Sequence, residues 1–344
     1  MDSTIALILV QDGIVNGAIY ALLSMAIVLV FAVTRVIFIP QGEFVAFGAL
    51  TLAMLVNGHV PGTVWLLPIL GAVVLLMELY SAARAKRYTT LPKVIATCVV
   101  YPLVAFWAVH QIAGAQLPLV LDVIITLLLV VPLGPMLYRV AYQPLAEASV
   151  LVLLIVSVAV HFALLGAALV FFGAEGWRTP AFVTGGFDLG FTRVSAQSLF
   201  VVGTALILIL ALYLFFERTL YGRALRATAV NRRGARLVGI STNMSGGITF
   251  TLAAFIGALS GILIAPVTTI YYDTGFLIGL KGFVGAIFGG LASYPLAALG
   301  SLLVGLLESF SSFWASAYKE VIVFTLILPV LVWRSLTSKH VEDE

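Results

Sequence analysis

Long apolar runs constrain the fold of this chain more than any other feature. Runs of about 20 residues recur along the sequence, which is the length that a helix needs to cross a bilayer and is too long for barrel strands. Hydrophobic residues make up 62% of the 344 residues and charged residues only 10%, whereas soluble proteins are about 25% charged. The sequence therefore predicts an all-α fold, a polytopic transmembrane helical bundle.

Hydropathy divides the chain into about 8–11 membrane helices. The predicted spans are residues 7–33, 36–57, 61–80, 94–113, 118–138, 148–172, 196–216, 246–270, 280–310 and 318–334. The segment 280–310 exceeds one span, and the glycines and proline of GGLASYPLAALG favour a break, so we predict two helices in a hairpin. No polar segment is long enough to fold alone, and residues 1–344 are predicted to form a single transmembrane domain.

Positive charge predicts the orientation of the helices. The longest polar segment, residues 217–243, is rich in arginine, and most of the 18 lysine and arginine residues fall on its side of the membrane if 280–310 is a hairpin. We therefore predict that this segment and the carboxyl terminus are cytoplasmic and that the amino terminus is outside. The start of the chain, MDSTIALILVQDG, lacks a basic region and a cleavage site, so the first apolar run is expected to remain as a helix.

The residue types that support catalysis or metal binding do not form a recognisable pattern. His110 and His161 lie alone in separate predicted spans, where packing or hydrogen bonding is the simpler interpretation, and Cys98 is the only cysteine. GLKGFVG has the wrong order for a phosphate-binding loop. We predict that the chain is not an enzyme, holds no metal or cofactor, and binds no nucleic acid, since its net charge of +3 reflects topology.

Polar residues recur along one face of the first span. Asn16, Tyr20 and Ser24 are spaced by four residues and so share a helical face, which must contact protein or water in a membrane. Two interpretations are open: hydrogen bonds between helices, or the lining of a passage. Small residues at the same spacing from 253 to 265, within the later span 246–270, predict close helix packing.

The stretch RVIFIPQGEF places polar residues where the second span begins. Pro40 is suited to the first turn of a helix, where its missing N–H costs little. Glu43 falls in the same turn, where the positive end of the helix favours a carboxylate. We expect Glu43 to face Arg35, the water-filled mouth of a passage, or both.

Lys281 is predicted at the start of the first helix of the 280–310 hairpin. There its ammonium group and the positive helix end could attract a substrate carboxylate. The alternative is a lysine whose charged end extends to the outer membrane interface.

The segment 217–243 predicts a short basic amphipathic helix that ends near Gly239. In one interpretation its arginines meet anionic lipid headgroups. In the other it is a rigid element that fits a groove in a soluble motor subunit.

Three blocks of the sequence resemble one known family. They are NGAIYALLSMAIVLVFAVTRVI (16–37) followed by GEFVAFGAL, YGRALRATAVNRRGARLVGI (221–240) and GLKGFVGAIFGGLASYPLAALGSLLVGLLES (279–309). Together they are similar to the inner-membrane permeases of branched-chain amino acid ABC transporters of the leucine-isoleucine-valine type, with urea and short-amide permeases as close relatives. The family usually has acidic residues where this chain has Arg232 and Arg233.

The resemblance implies a multi-pass permease domain of the bacterial inner membrane. Its partners would be a second permease subunit, two cytoplasmic ATP-binding subunits that use the ATP, a periplasmic substrate-binding protein and the lipid bilayer. The passage would lie near Asn16, Tyr20, Ser24, Glu43 and Lys281. Coupling to the ATPase would involve Arg223, Arg226, Asn231, Arg232, Arg233, Arg236 and Gly239.

The leading hypothesis is an ABC importer permease that moves a branched-chain or related small amino acid inward. The alternatives are a urea or short-amide permease of the same family, and a channel or secondary carrier that works without ATP. An intramembrane enzyme has no catalytic constellation to support it.

Overall fold

Helices dominate the structure, a computed structural model that describes residues 3–86, 91–112, 114–115, 117–188 and 193–337. The first half contains α1 (Ser3–Thr34), α2 (Gln41–Val56), α3 (Thr63–Ala85), α4 (Leu91–Ile95), α5 (Tyr101–Ile112), α6 (Leu119–Val130), α7 (Leu133–Leu137) and α8 (Val150–Phe172). The second half contains α9 (Ala196–Arg218), α10 (Leu220–Val230), α11 (Arg232–Leu237), α12 (Thr242–Ile264), α13 (Thr274–Phe288), α14 (Tyr294–Trp314), α15 (Lys319–Thr325) and α16 (Ile327–Thr337).

Short turns of other helical types join some of these helices into longer segments. A π-helical turn at Ala96–Val100 links α4 to α5. A second π-helical turn at Tyr138–Tyr142 and a 3₁₀ turn at Gln143–Leu145 extend α7, and a further 3₁₀ turn at Ser316–Tyr318 precedes α15. Leu91–Ile112 and Leu119–Leu145 are therefore each one membrane-length helical segment.

The two ends of the bundle are formed by different structural elements. An antiparallel hairpin of β1 (Gly186–Asp188) and β2 (Arg193–Ser195) lies at one end, which we call the hairpin face. From there α9 runs the length of the bundle to α10 and α11 at the opposite end, which we call the coupling face.

The helices confirm the predicted fold class. Within the described residues, nine helical segments are long and apolar enough to cross a membrane, and α2 and α13 are shorter apolar helices. The chain is thus an all-α polytopic bundle. Arg87 and Lys339, which contributed to the predicted orientation, lie outside the described residues.

The predicted break within 280–310 is confirmed, although some predicted boundaries are wrong. The helices α13 and α14 are separated by a turn in which Gly290 and Leu291 have φ values of 60° and 57°. The first of these helices begins earlier than predicted, at Thr274, and α12 ends at Ile264 rather than 270 because Pro266 follows its carboxyl end.

Prolines also explain two other differences from the predicted spans. The second span was predicted from residue 36, but α2 begins at Gln41 and Pro40 is the residue just before it. The last span was predicted as one helix, but it is interrupted between α15 and α16. There Pro329 has no N–H to donate to the carbonyl group of Thr325, four residues earlier.

The short helix α2 lies at the centre of the bundle, and almost all of its residues are buried. A helix that is apolar on every side is expected to be surrounded by protein or lipid. Glycines of α12 bring the two backbones together: a methyl group on Gly257 would lie 2.7 Å from Phe44 Cβ, and one on Gly261 would overlap the carbonyl oxygen of Val45. The predicted close packing of the small residues in α12 is therefore confirmed at both glycines.

The amino-terminal end of α2 lies halfway across the bundle rather than at its edge. Gln41 Nε2 donates a hydrogen bond of 3.0 Å to the carbonyl oxygen of Ala253, the middle residue of α12. Glu43 is 2.8 Å from His161, the middle residue of α8. With 16 residues α2 is about 24 Å long, so it spans only part of a hydrocarbon core of about 30 Å.

Candidate functional site

A carboxylate and an imidazole are paired in the middle of the bundle. Oε1 of Glu43 lies 2.8 Å from Nδ1 of His161, and both side chains are buried. The ring of Phe276, in the first turn of α13, stacks on His161 with the centroids 4.4 Å apart. Among the described residues, no hydrogen-bond donor reaches Oε2 of Glu43. We call these three side chains the midplane site.

The predicted surroundings of Glu43 are wrong, although its place in the first turn of α2 is confirmed. Glu43 is fully buried and so faces no open mouth, and its partner is His161 rather than Arg35. Arg35 is exposed at the end of α1, where its φ of 61° ends the helix and its guanidinium group lies over the ring of Phe31. His161 is hydrogen-bonded, as the simpler interpretation held, but its partner is 118 residues away in sequence.

A second group of buried charges joins four helices. The Lys281 Nζ atom donates to Glu308 Oε1 at 2.5 Å and to Glu320 Oε1 at 3.0 Å. Tyr20 donates its hydroxyl proton to the other oxygen of Glu308 at 2.5 Å. These four residues, which we call the Lys281 cluster, link α1, α13, α14 and α15.

Both predicted settings of Lys281 are wrong. The helix α13 begins at Thr274, so Lys281 lies in its middle rather than at its positive end. Its side chain is buried and paired with carboxylates, so it does not extend to a membrane interface. Sequence reasoning did not include Glu308 or Glu320, although an acidic residue inside a predicted span, as both are, was an available signal.

The three polar residues of α1 have different environments. Tyr20 makes a hydrogen bond between helices, which matches the first interpretation of this face. Ser24 is buried and donates to the carbonyl oxygen of Ala21 within its own helix, and Asn16 is partly buried. A role for these residues in lining a passage remains a prediction.

The buried charges of the midplane site and the Lys281 cluster are paired with one another rather than gathered as metal ligands. A further pair, Glu78 with Arg139, joins α3 to the π-helical turn after α7. In the part of the chain that the structure describes, no group of three or more His, Cys, Asp or Glu side chains could hold a metal ion.

The segment 217–243 was predicted to contain one short helix, and the structure shows two, so the prediction is wrong in this respect. At Asn231 the backbone is extended, with φ −151° and ψ 101°, and this separates α10 from α11. The side chain of Asn231 accepts a hydrogen bond of 2.8 Å from the N–H of Gly234 and so caps the second helix. The predicted end near Gly239 is confirmed, since α11 stops at Leu237 and Gly239 has a φ of 86°.

Arginines fix α10 and α11 to the bundle. Arg226 pairs with Glu217 at 2.5 Å, and Arg232 donates to the carbonyl oxygen of Ala146 at 3.1 Å. These contacts hold the two short helices against the ends of neighbouring segments. Arg223 and Arg233 are exposed.

Arg236 connects α11 to two other segments. It donates to Thr242 Oγ1 at 3.1 Å and to Glu147 Oε1 at 2.9 Å. The hydrogen bond and the positive charge of Arg236 lower the pKa of the Glu147 carboxyl group. This contact is therefore expected to weaken at a lower pH than a contact made by a glutamate with an unshifted pKa.

Apolar side chains remain exposed at the coupling face. Leu237 is 88% exposed and Val238 is 77% exposed, next to the exposed Arg233, and Val230 is exposed at the end of α10. We call these four residues the coupling patch. An apolar patch with a basic neighbour on a polar segment is typical of a protein or membrane contact.

We expect Asn231→Ala to loosen α11 without unfolding the bundle. Loss of an asparagine cap costs about 0.5–2 kcal/mol, which would raise amide exchange in residues 232–238 between about twofold and thirtyfold. Hydrogen exchange with mass spectrometry measures this change. Asn243→Ala, an exposed position in the first turn of α12, serves as the control. Unchanged exchange in Asn231→Ala would mean that packing of Ala235, not the cap, holds α11.

Comparison with known proteins gives a family match along nearly the whole chain. Residues 9–331 match the model of the family described as branched-chain amino acid transport system / permease component. The permease protein BraD of a high-affinity branched-chain amino acid transport system from Pseudomonas aeruginosa is 26% identical over 292 residues, which are 82% of this chain and 94% of the relative.

Two further relatives cover less of the chain. The permease protein LivH of Escherichia coli K12 is 30% identical over 201 residues, 56% of this chain and 65% of the relative. A probable branched-chain amino acid transport permease protein LivH from Methanocaldococcus jannaschii is 30% identical over 188 residues, 52% of this chain and 59% of the relative.

Proposed function

The chain belongs to the family of permease components of branched-chain amino acid transport systems, and on that premise we propose that it carries branched-chain or related small amino acids across the membrane as the permease subunit of an ABC importer. The resemblance predicted from sequence is thereby confirmed. Members of this family are membrane transport components rather than enzymes. The observation that carries the proposal is the match over residues 9–331, which includes almost every membrane helix.

We propose the partner subunits of this chain and its location in the cell from the same family match. Two separate cytoplasmic subunits bind and hydrolyse the ATP, a second permease subunit completes the membrane part as a homodimer or heterodimer, and a periplasmic binding protein delivers the substrate. The complex resides in the bacterial inner membrane, with the coupling face toward the cytoplasm. Residues 1–344 form one permease domain in this proposal, with residues 217–243 as its coupling segment.

The coupling patch is the proposed contact with the ATP-binding subunit. Its exposed apolar side chains would be covered by a partner, and the exposed Arg223 and Arg233 could contact acidic groups of that partner. Arg226, Arg232, Arg236 and the cap of Asn231 make contacts that would hold the segment rigid. A rigid element that fits a groove transmits movement better than a flexible loop, which favours the motor-subunit interpretation.

We expect the double substitution Leu237→Ser and Val238→Ser to weaken capture of the ATP-binding subunit. Each side chain is largely exposed in the free chain, so its replacement removes partner contact with little effect on the fold. The expected loss of affinity is about tenfold to a hundredfold, measured by co-purification at graded subunit concentrations. Val183→Ser at the hairpin face is the matched control, and equal capture by both variants would contradict the proposed contact.

The passage is proposed to run beside the midplane site and the Lys281 cluster. Asn16, Tyr20, Ser24, Glu43 and Lys281 remain the candidates that line it. Glu43, Tyr20 and Lys281 are buried in the single chain, so they would meet substrate only after movement of the surrounding helices. Buried ionisable groups in a membrane protein commonly mark a transport route.

Reconstitution of the complete transporter in proteoliposomes tests the proposed function. We expect uptake of radiolabelled leucine that requires the binding protein and stops when the ATP-binding subunits carry a substitution that blocks hydrolysis. Unlabelled urea and acetamide are included as competitors, and competition by either at the level of leucine would favour the related urea or short-amide activity instead.

The opposite result identifies an ATP-independent carrier. Uptake by this chain alone, or uptake that persists when hydrolysis is blocked, would overturn the proposed function. A channel or secondary carrier of this kind would leave the coupling patch without a partner subunit.

A further inference from the structure

Two parts of the chain repeat the same arrangement of helices. In the first, the membrane-length helix α1 is followed by residues 35–40 and the short helix α2. In the second, the membrane-length helix α12 is followed by residues 265–273 and the short helix α13. Each unit therefore consists of a long helix, a non-helical link and a short helix.

In the first unit α1 ends at the coupling face, and α2 ends at the hairpin face. The end of α1 lies at the coupling face, where Leu29 and Val33 pack against Leu225 of α10. After the link, α2 starts halfway across the bundle and ends at the hairpin face, where His59 contacts Trp177 with the ring centroids 5.2 Å apart.

The second unit has the opposite arrangement: α12 ends at the hairpin face, and α13 ends near the coupling face. The end of α12 lies at the hairpin face, where Thr179 donates a backbone hydrogen bond of 3.4 Å to Ala265. Then α13 starts halfway across the bundle, with Phe276 stacked on His161, and its far end lies near the coupling face. There Tyr294, just after the turn that ends α13, stacks on Phe216 near the end of α9 at 5.8 Å.

The two short helices meet at their amino-terminal ends through matching contacts. Gly42 and Gly275 each occupy the second position of their helix. A methyl group on either glycine would overlap the carbonyl oxygen of the other. One turn further along each helix the match continues: a methyl group on Gly275 would lie 2.9 Å from Ala46 Cβ, and one on Gly42 would lie 3.2 Å from Gly279 Cα.

Reciprocal contacts of this kind are the mark of a two-fold relation between interacting surfaces. Here the relation holds between two units of one chain that have opposite directions in the membrane. We propose that α1–α2 and α12–α13 form an inverted repeat and that the Gly42–Gly275 crossing is the fulcrum of the transport movement.

The geometry explains how such a fulcrum would work. The short helices extend from the crossing to opposite faces, so one rotation about it moves α2 at the hairpin face and α13 at the coupling face together. Gly42 and Gly275 have no side chains, so the contact between these two residues requires no rotamer change during the rotation. A rotation of about 10° displaces the far end of a helix about 24 Å long by about 4 Å. This inference rests on the proposed transport function and adds the element that alternates access.

Two glycine substitutions test the crossing by activity. We expect Gly42→Ala and Gly275→Ala each to reduce ATP-driven leucine uptake about tenfold or more, because either methyl group forces the backbones apart. Gly166→Ala in α8 is the matched control, since among the described residues no atom lies within 4 Å of a Cβ built there. Uptake at the wild-type level in both crossing variants would overturn the fulcrum.

Spin labels test the movement in a chain whose crossing is unchanged, so the result does not depend on folding of the glycine variants. Cys98→Ala removes the only cysteine, and Asn57→Cys with Leu199→Cys places one label at the exposed far end of α2 and the other at an exposed position of α9, which lies outside both units. We expect the distance between the labels to differ by up to about 4 Å between the nucleotide-free and ATP-bound complexes. Identical distances in a complex that transports leucine would overturn the fulcrum and leave the proposed function intact. Failure of the unlabelled wild-type complex to transport leucine would instead overturn the proposed function, and with it the fulcrum.

Discussion

Lys281→Met is expected to prevent stable accumulation of the chain in the membrane. The lysine is the only positive charge in the Lys281 cluster and contacts Glu308 and Glu320, so its loss leaves Glu308 without its ionic partner and Glu320 with only the 4.0 Å contact to Lys319. Removing one partner of a buried ion pair costs about 3–5 kcal/mol, which is a large part of a typical stability of about 5–15 kcal/mol. Quantitative immunoblotting of membranes and thermal unfolding in detergent measure the effect.

Two further variants separate loss of the ion pair from loss of a positive charge. Lys319→Met removes a partly exposed lysine whose Nζ atom is 4.0 Å from Glu320, and this variant should accumulate normally. Lys281→Met combined with Glu308→Gln removes the charges of the more buried ion pair of the Lys281 cluster together and should recover much of the accumulation, because the remaining Glu320 side chain is 33% exposed. Normal accumulation of Lys281→Met with weaker substrate uptake would contradict the structural role and favour direct contact with substrate.

The broad architecture could be predicted from the sequence because it depends on local signals. Apolar runs of membrane length define the long helices, and the glycines and proline near residue 290 define the break between α13 and α14. The placement of Glu43 in a first turn follows from Pro40 in the same way. Each of these features is determined by residues close together in the chain.

The sites could not be predicted to the same extent because they depend on distant residues. Glu43 and His161 are 118 positions apart, and Tyr20 and Glu308 are 288 positions apart. Helical periodicity indicates which residues share a face, but it does not tell which helix that face contacts. Periodicity likewise gives the apolar character of α2 but not its position halfway across the bundle, which follows from its contacts with α8 and α12.

We expect Glu43→Gln to impair transport while the chain still accumulates in the membrane. Glutamine keeps the shape of the side chain, and its carbonyl oxygen can accept the hydrogen bond from Nδ1 of His161. Among the described residues, no group donates a hydrogen bond to the second oxygen of Glu43. In the glutamine variant an NH₂ group takes the place of that oxygen, so no hydrogen bond is lost there and the fold is little destabilised. The negative charge is lost beside the crossing of α2 and α13. Hydrogen bonds to charged groups contribute about 1.5–3 kcal/mol, which corresponds to a loss of uptake of about tenfold to a hundredfold.

The comparison with Glu175→Gln decides whether this effect belongs to the midplane site. Glu175 is exposed in the segment that connects α8 to β1, so the same chemical change there should leave both uptake and accumulation at the wild-type level. Poor accumulation of Glu43→Gln with normal uptake per molecule would assign Glu43 to folding and remove it from the passage. Reduced uptake with normal accumulation would instead mean that a charge buried halfway across the bundle is needed during transport, since the resting fold tolerates its neutral isostere.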